Sequence, residues 1–298
     1  MENIDVVFVL GNGSKWNDNE LRFALRSIEK NLKGYRKVWI IGRKPSWIKN
    51  VGFIEVDDTL VNNADGNIIN KVLAACKAKS LTDDFVFFND DYIVNKPVHV
   101  SEILNWHIGD IAWFDDEFFN QSIWRTRLKR TMKVLQKYGL PTMNYDAHVP
   151  MIINKKKFPE IISKFRYQDD LGFTMKSLYG NSLEPGVRLN EAAIFRRYTY
   201  EQIESRLSEA LFYAYNDFGL GIYMKIFLFN HFPGPSQYEK ANSTDRALDI
   251  LSWFAFNGNI EDGLDLLNKY SQSGPVKRTF AMGLRNRSKL EQQLLNLV

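Results

Sequence analysis

The segment Phe85-Val86-Phe87-Phe88-Asn89-Asp90-Asp91 constrains this chain more than any other. Four apolar, β-prone residues run directly into an amide and two adjacent carboxylates. A buried strand does not hold two neighbouring acids in its interior, so these acids belong where the strand leaves its sheet. Ligands of open α/β sheets bind outside that carboxyl edge. Two hard oxygen ligands there suit Mg²⁺ or Mn²⁺, which completes its shell with phosphate oxygens of a substrate. The other reading of the same residues is a solvated turn before a second strand, Tyr92 to Val94.

The preceding residues supply the rest of such a sheet. Ile4 to Leu10, a continuous apolar run after Asp5, reads as a central parallel strand, broken by Gly11-Asn12-Gly13-Ser14. Asn19 is placed to cap a helix from Glu20 to Leu32, with Leu21, Leu25, Ile28 and Leu32 on one face. Val38 to Ile41 and Phe53 to Val56 read as strands, and Asn67 to Lys79 as a helix. This alternation predicts an α/β fold with a mostly parallel sheet flanked by helices.

Beyond Pro97 the pattern loosens. Ser101 to Trp106 and Ile123 to Lys137 read as helices, and Val149 to Ile153 as a returning strand. From Glu191 onward the spacing is helical: 200–212, 220–229, 241–256, 260–270 and 288–297. The breaker Glu184-Pro185-Gly186 divides the chain into a predicted catalytic domain, 1–185, and a helical C-terminal region, 186–298. With 298 residues the first part can bury a sizeable core.

The single cysteine, Cys76, excludes an internal disulfide and a cysteine zinc site. No basic–apolar leader and no run of 18 apolar residues is present, so a cytoplasmic protein with no membrane span is expected. The net charge of +4 is mild but uneven. Six basic residues and no acid lie in 125–137, and five more lie in 277–289. Such patches usually solvate a surface, but they also suit nucleic acid, acidic glycan or lipid headgroups.

Gly11, Asn12, Gly13 and Ser14 allow close backbone approach of a nucleotide at the end of the first strand. Arg22 and Arg26 share one helix face and are positioned to pair with phosphate or ribose, unless that face is simply solvated. Lys71 is a weaker phosphate candidate. Asn89 is expected to orient one acid or a water, and Asp90 and Asp91 to hold the cation, with Asp91 the first choice as direct ligand.

The blocks Ile4-Asp5-Val6-Val7-Phe8 with Gly13-Ser14, then Glu20-Leu21-Arg22-Phe23 with Leu25-Arg26-Ser27-Ile28-Glu29-Lys30, carry a resemblance. So do Arg36-Lys37-Val38-Trp39-Ile40, Pro45-Ser46-Trp47 and Phe87-Phe88-Asn89-Asp90-Asp91 with Lys96-Pro97-Val98. Further along come Ala147-His148-Val149-Pro150-Met151-Ile152, Arg166, Asp169-Asp170, Asn216-Asp217 and Phe232-Pro233-Gly234-Pro235-Ser236-Gln237-Tyr238-Glu239. In order and spacing these resemble the Stealth family of sugar-phosphate transferases, which includes capsular polysaccharide phosphotransferases. The chain departs from that pattern at Val9-Leu10-Gly11 and at Asn67 to Asn70, beside the expected donor.

The resemblance implies a GT-A-like nucleotide-sugar fold, a UDP-sugar as the expected donor, and a divalent cation held at Asn89-Asp90-Asp91. It implies that His148 deprotonates an acceptor hydroxyl or stabilises a phosphoryl oxygen, as an imidazole with an ordinary pKa of about 6.5 can. Arg166 is expected to fork onto phosphate. Asp170, with Asp169, is either a base or acceptor ligand or the cap of a helix over 171–179. Asp217 and Glu239 are expected to approach the donor or the metal.

These readings point to a transferase moving a sugar-1-phosphate, or the sugar alone, onto an acceptor hydroxyl, by default on a glycan. The basic patches leave open a phage-type DNA glycosyltransferase acting on a hydroxylated base. A catalytically silent nucleotide- or glycan-binding module is the alternative from another class.

Overall fold

The computed structural model describes residues 3–190 and 192–240. Its elements run β1 (Ile4–Leu10), α1 (Asn19–Asn31), β2 (Leu32–Lys33), β3 (Tyr35–Gly42), β4 (Gly52–Ile54), α2 (Ala64–Cys76) and β5 (Asp84–Phe88). There follow β6 (Tyr92–Val94), β7 (Val98–His99), β8 (Trp106–His107), α3 (Asp116–Phe119), α4 (Ile123–Lys137), β9 (Met151–Asn154), α5 (Lys157–Ile162) and α6 (Met175–Gly180). The described chain closes with β10 (Val187–Arg188), β11 (Ala193–Ile194), α7 (Tyr200–Leu207), β12 (Phe212–Tyr215) and α8 (Ile222–His231).

The central sheet has the order β4-β3-β1-β5-β9. Its first four strands are parallel, and β9 joins β5 antiparallel at the edge. Strands β1 and β5 read as uninterrupted apolar runs because both faces of the sheet are covered. On one face Val6, Phe8, Leu10, Val86 and Phe88 pack against Leu21, Leu25 and Ile28 of α1. On the other, Val7, Val9, Phe85 and Phe87 pack against Ile69, Val72 and Ala75 of α2 and against Phe158 and Leu178. The one acid inside β1, Asp5, is fully buried and accepts two bonds from Arg36 (2.9 and 2.7 Å) and one from Trp39 Nε1 (3.0 Å). A buried carboxylate persists only with such partners.

After β1 the chain builds outward through β3 and β4, then returns to add β5 on the opposite side of β1. The strand order therefore reverses between β1 and β5, and at such a switch point the loops diverge and leave a crevice. Phe8 is level with Phe88, so the loop from Gly11 and the segment Asn89-Asp90-Asp91 leave the sheet together at its rim.

The chain then enters a small sheet, β11-β12-β6, in which β12 pairs antiparallel with β6. Here the structure departs from the helical spacing expected after Glu191. Helices α7 and α8 form, but the helix expected over 200–212 stops at Leu207, and Phe212–Tyr215 is a strand. Four consecutive apolar or aromatic residues satisfy either period, and pairing with β6 decides between them. The described part of 186–240 packs into the same apolar layer as α1, through Tyr200, Ile203, Phe212 and Phe227. The helices expected over 241–256, 260–270 and 288–297 and the basic stretch 277–289 lie outside the described residues.

Two smaller expectations also change. Ser101 to Trp106 is a single 3₁₀ turn, Val100–Glu102, followed by β8. Asp169 and Asp170 cap no helix: Leu171 and Gly172 take left-handed φ of 54° and 60°, and α6 begins after Thr174. Helix α4 spans Ile123–Lys137 as expected, but its basic face is thinner than the sequence suggests. Arg127 is buried against Asp65 (2.8 Å), and Lys129 is bonded to Asp116 (2.5 Å). Among the described residues no helix is long and apolar enough to cross a membrane.

Candidate active site

A cavity of about 680 Å³ opens at the β1/β5 switch point. The β1 loop contributes Gly11, Asn12, Gly13 and Ser14, and the β5 end contributes Asn89, Asp90 and Asp91. Helix α1 adds Glu20, helix α2 adds Asn67 and Lys71, and the segment after β12 adds Asn216, Asp217 and Phe218. A second cavity of about 310 Å³ adjoins it through Gly11, Asn12 and Asp58 and is lined by Arg43, Lys44, Phe53, Glu55 and Asp57.

The β1 loop is organised by its own hydrogen bonds. Ser14 Oγ accepts from the amides of Trp16 (3.2 Å) and Asp18 (2.8 Å) and donates to Glu20 Oε2 (2.8 Å). Asn17 and Asp18 take left-handed φ of 55° and 57°, which Asn and Asp tolerate better than most residues. Lys15 reaches Asp217 at 2.9 Å and ties this loop to the segment after β12. A Cβ at Gly11 would lie 2.8 Å from Asp58 Oδ2, so a larger residue there would displace the Asp58 carboxylate. Asp58 in turn is bonded to the buried Lys71 ammonium.

The electrostatics of this cavity are dominated by carboxyls. Burial, followed by the charges of Asp18 and Asp217, pushes Asp90 up to about 6. Burial and the adjacent Asp90 push Asp91 up to about 7, against the opposing charges of His148 and Lys176. Glu20 is raised to about 7, chiefly by burial, despite its Ser14 bond. Each of these acids binds its proton more tightly folded than unfolded. The ionised forms therefore destabilise the metal-free protein above pH 7, and that cost is relieved as pH falls toward 4. Urea denaturation without divalent ions is expected to give a midpoint that rises from pH 8 to pH 5, and a flat profile would contradict this.

Asp91 Oδ1 is buried and has no hydrogen-bond partner. Two carboxyls strained against one another, with an orphaned oxygen between protein walls, fit a divalent cation. Among the described residues no three His, Cys, Asp or Glu side chains are grouped to hold a metal by themselves. Asp90 and Asp91 would therefore hold it with help from substrate oxygens and water.

His148 lies behind Asp91 rather than on the cavity wall. It is half-buried, 4.6 Å from the ring of Phe195 and 6.3 Å from that of Tyr92. Its flanking carbonyls, Ala147 O and Val149 O, accept from the buried Lys176 ammonium, which also faces the Tyr92 ring at 5.1 Å. Lys176 thus fixes the His148 turn and places a positive charge near Asp91.

Several residues expected at the donor are elsewhere. Arg22 and Arg26 sit about 200° and 240° around α1 from Glu20. There they clamp Glu239 in a buried triad, with contacts of 2.6 Å from Arg22 and 2.7 and 2.8 Å from Arg26. Arg22 also lies over the Trp47 ring at 4.1 Å. All three are consumed by one another and do not line the cavity. Arg166 is 87% exposed and paired with Asp169 at 3.3 Å, and Asp170 is exposed. Neither lines the cavity.

Glu20, Asp58, Tyr215 and Lys176 belong to the site or its support and were not singled out from sequence. Glu20 stands within a quoted block as an ordinary helix-start acid. The others carry no local signal, because chain segments distant in sequence bring them there.

No protein-family model matches this chain, and no curated protein is significantly similar to it in sequence. The Stealth resemblance therefore rests on its own motif residues. Among solved structures, a complex of the galactosyltransferase LgtC with donor and acceptor sugar analogues is 14% identical. It aligns over 71% of this chain and 87% of its own, with a TM-score of 0.39. Mouse xyloside xylosyltransferase 1 is 9% identical over 73% and 98% of the two chains, with a TM-score of 0.37. A glycosyltransferase involved in glycosylating the major capsid of PBCV-1 is 13% identical over 71% and 92%, with a TM-score of 0.35. Values this low assign no family.

Proposed function

We propose that this chain is a divalent-cation-dependent nucleotide-sugar transferase. The observation that carries the reading is the Asp90–Asp91 pair at a switch-point cavity, both raised by burial and Asp91 further by Asp90. Such a pair accepts a cation readily and would otherwise repel a diphosphate. The bound cation would neutralise the pyrophosphate of the donor and the charge that grows on its leaving group.

The remaining groups fit roles around that centre. The Gly11–Gly13 backbone allows close approach of the phosphates, and a Cβ at Gly13 would meet nothing within 4 Å. Lys71 can exchange its Asp58 contact for a phosphate oxygen. The adjoining cavity, with the Phe53 ring and the Glu55 and Asp57 carboxyls, has the chemistry of a nucleoside subsite. His148, set back from the cavity wall, is the group to take the proton through one intervening water as the acceptor O–H bond breaks and the new bond forms.

Two outcomes share this arrangement. Attack on the β-phosphorus transfers sugar-1-phosphate, as the Stealth resemblance implies, and releases a nucleoside monophosphate. Attack on the anomeric carbon transfers the sugar and releases a nucleoside diphosphate. Incubation with a panel of nucleotide-sugars, Mn²⁺ and candidate glycan acceptors, followed by identification of the released nucleotide, separates them. Release of neither from any donor would overturn the reading.

An acceptor within DNA remains the second reading, carried by Arg125, Lys133 and Lys137 on α4. With DNA as acceptor, activity would fall steeply as salt rises, whereas a neutral glycan would give a shallow dependence.

A further inference from the structure

Tyr215 ends β12 with its ring 1% exposed and its hydroxyl buried without a hydrogen-bond partner. Asp91 Oδ1 is a buried acceptor in the same condition. The register of the small sheet relates them. Phe212 pairs with Val94, Tyr213 with Ile93 and Ala214 with Tyr92. Continued one step past the last bonded pair, that register runs Tyr215 alongside Asp91, the turn residue just before β6. Directly opposed residues of an antiparallel pair project to the same side. Both residues also line the switch-point cavity.

A buried phenol without an acceptor and a buried carboxylate oxygen without a donor are each costly alone. Here the two are complementary and adjacent. Glu20 acts on the Tyr215 hydroxyl more strongly than Asp91 does, but of the two acids only Asp91 carries a buried oxygen with no partner. The acceptor left without a donor is on Asp91.

We propose that Tyr215 is a positioning residue for Asp91, its hydroxyl donating to Oδ1 through one bridging water. Oδ2 is then the oxygen presented to the cation. The inference rests on the cation reading above. It makes β12 part of the support of the metal site. A hydrogen-bond partner behind a metal ligand fixes the ligand's orientation, and its removal typically costs 10- to 100-fold in metal affinity.

The test compares wild type, Tyr215→Phe, Asp91→Asn and the double variant as full-length chains. Mn²⁺ binding by titration calorimetry is expected to weaken about 10- to 100-fold in Tyr215→Phe. In metal-free melts the two substitutions are expected to be non-additive, the second shifting Tm by less than half of its effect alone. A hydroxyl with no partner predicts the opposite. Its removal would leave Mn²⁺ affinity unchanged and Tm unchanged or raised, with additive shifts, and that result overturns the proposal. If wild type binds no Mn²⁺, the cation reading fails by itself, and additivity in the metal-free melts then decides whether Tyr215 holds Asp91.

Discussion

Replacing Asp91 with Asn is expected to abolish turnover while making the metal-free protein harder to unfold. Loss of a direct cation ligand should lower kcat/KM by at least about 10³-fold, roughly 4 kcal/mol at 1.36 kcal/mol per decade. The stability change has the opposite sign. Asp91 is raised to about 7 because burial and Asp90 oppose its ionisation, so at pH 8 its charge is a cost to the fold. Asn is close in shape and carries no charge, so Tm at pH 8 should rise. Inactivity with a raised Tm marks a functional acid. A lowered Tm would instead make Asp91 a structural residue and remove the main support for the cation.

Replacing Glu239 with Gln is expected to give the mirror image, a large loss of stability from a residue remote from the cavity. Glu239 accepts from both Arg22 and Arg26 and from the Ser236 amide (2.8 Å), with no exposure of its side chain. Breaking a buried ion pair typically costs 3–5 kcal/mol, about the range expected here, because the arginines lose their counter-charge. Burial alone would raise the Glu239 pKa, but the bonds and charges of Arg26 and Arg22 hold it down at about 2. Its stabilisation is therefore fully present above the unfolded value of 4.5 and is lost as pH falls from there toward 2. The shift corresponds to about 3 kcal/mol. Urea denaturation at pH 7 should separate wild type from Glu239→Gln by that order, and the gap should close near pH 2. A gap independent of pH would mean that ionisation contributes nothing to the clasp.

These two carboxyls show why part of the site was legible in sequence and part was not. Asp90 and Asp91 follow an apolar strand directly, and the physical rule that expels them to the sheet edge acts between neighbours. The same rule places Gly11 to Ser14 after β1. Arg22, Arg26 and Glu239 stand in motifs that suggest phosphate chemistry, yet their residue types serve a buried ion pair equally well. Only the rotation of α1 decides which faces the cavity. It turns Glu20 toward Ser14 and the arginines toward Trp47 and Glu239. His148 is expected at the reacting groups but does not line the cavity, and the buried ammonium that braces its turn, Lys176, carries no local signature.

The sequence by itself determined the alternation of strand and helix, the parallel core sheet and the edge at which its acids must emerge. Each of these follows from periodicity and from the cost of burying charge, which act over a few neighbouring residues. Tertiary structure alone decided that Phe212–Tyr215 is a strand, that Tyr215 and Asp91 line one cavity, and that Arg22 and Arg26 serve the core. Those outcomes depend on which surfaces meet across more than a hundred residues of chain, and no local pattern encodes such a meeting.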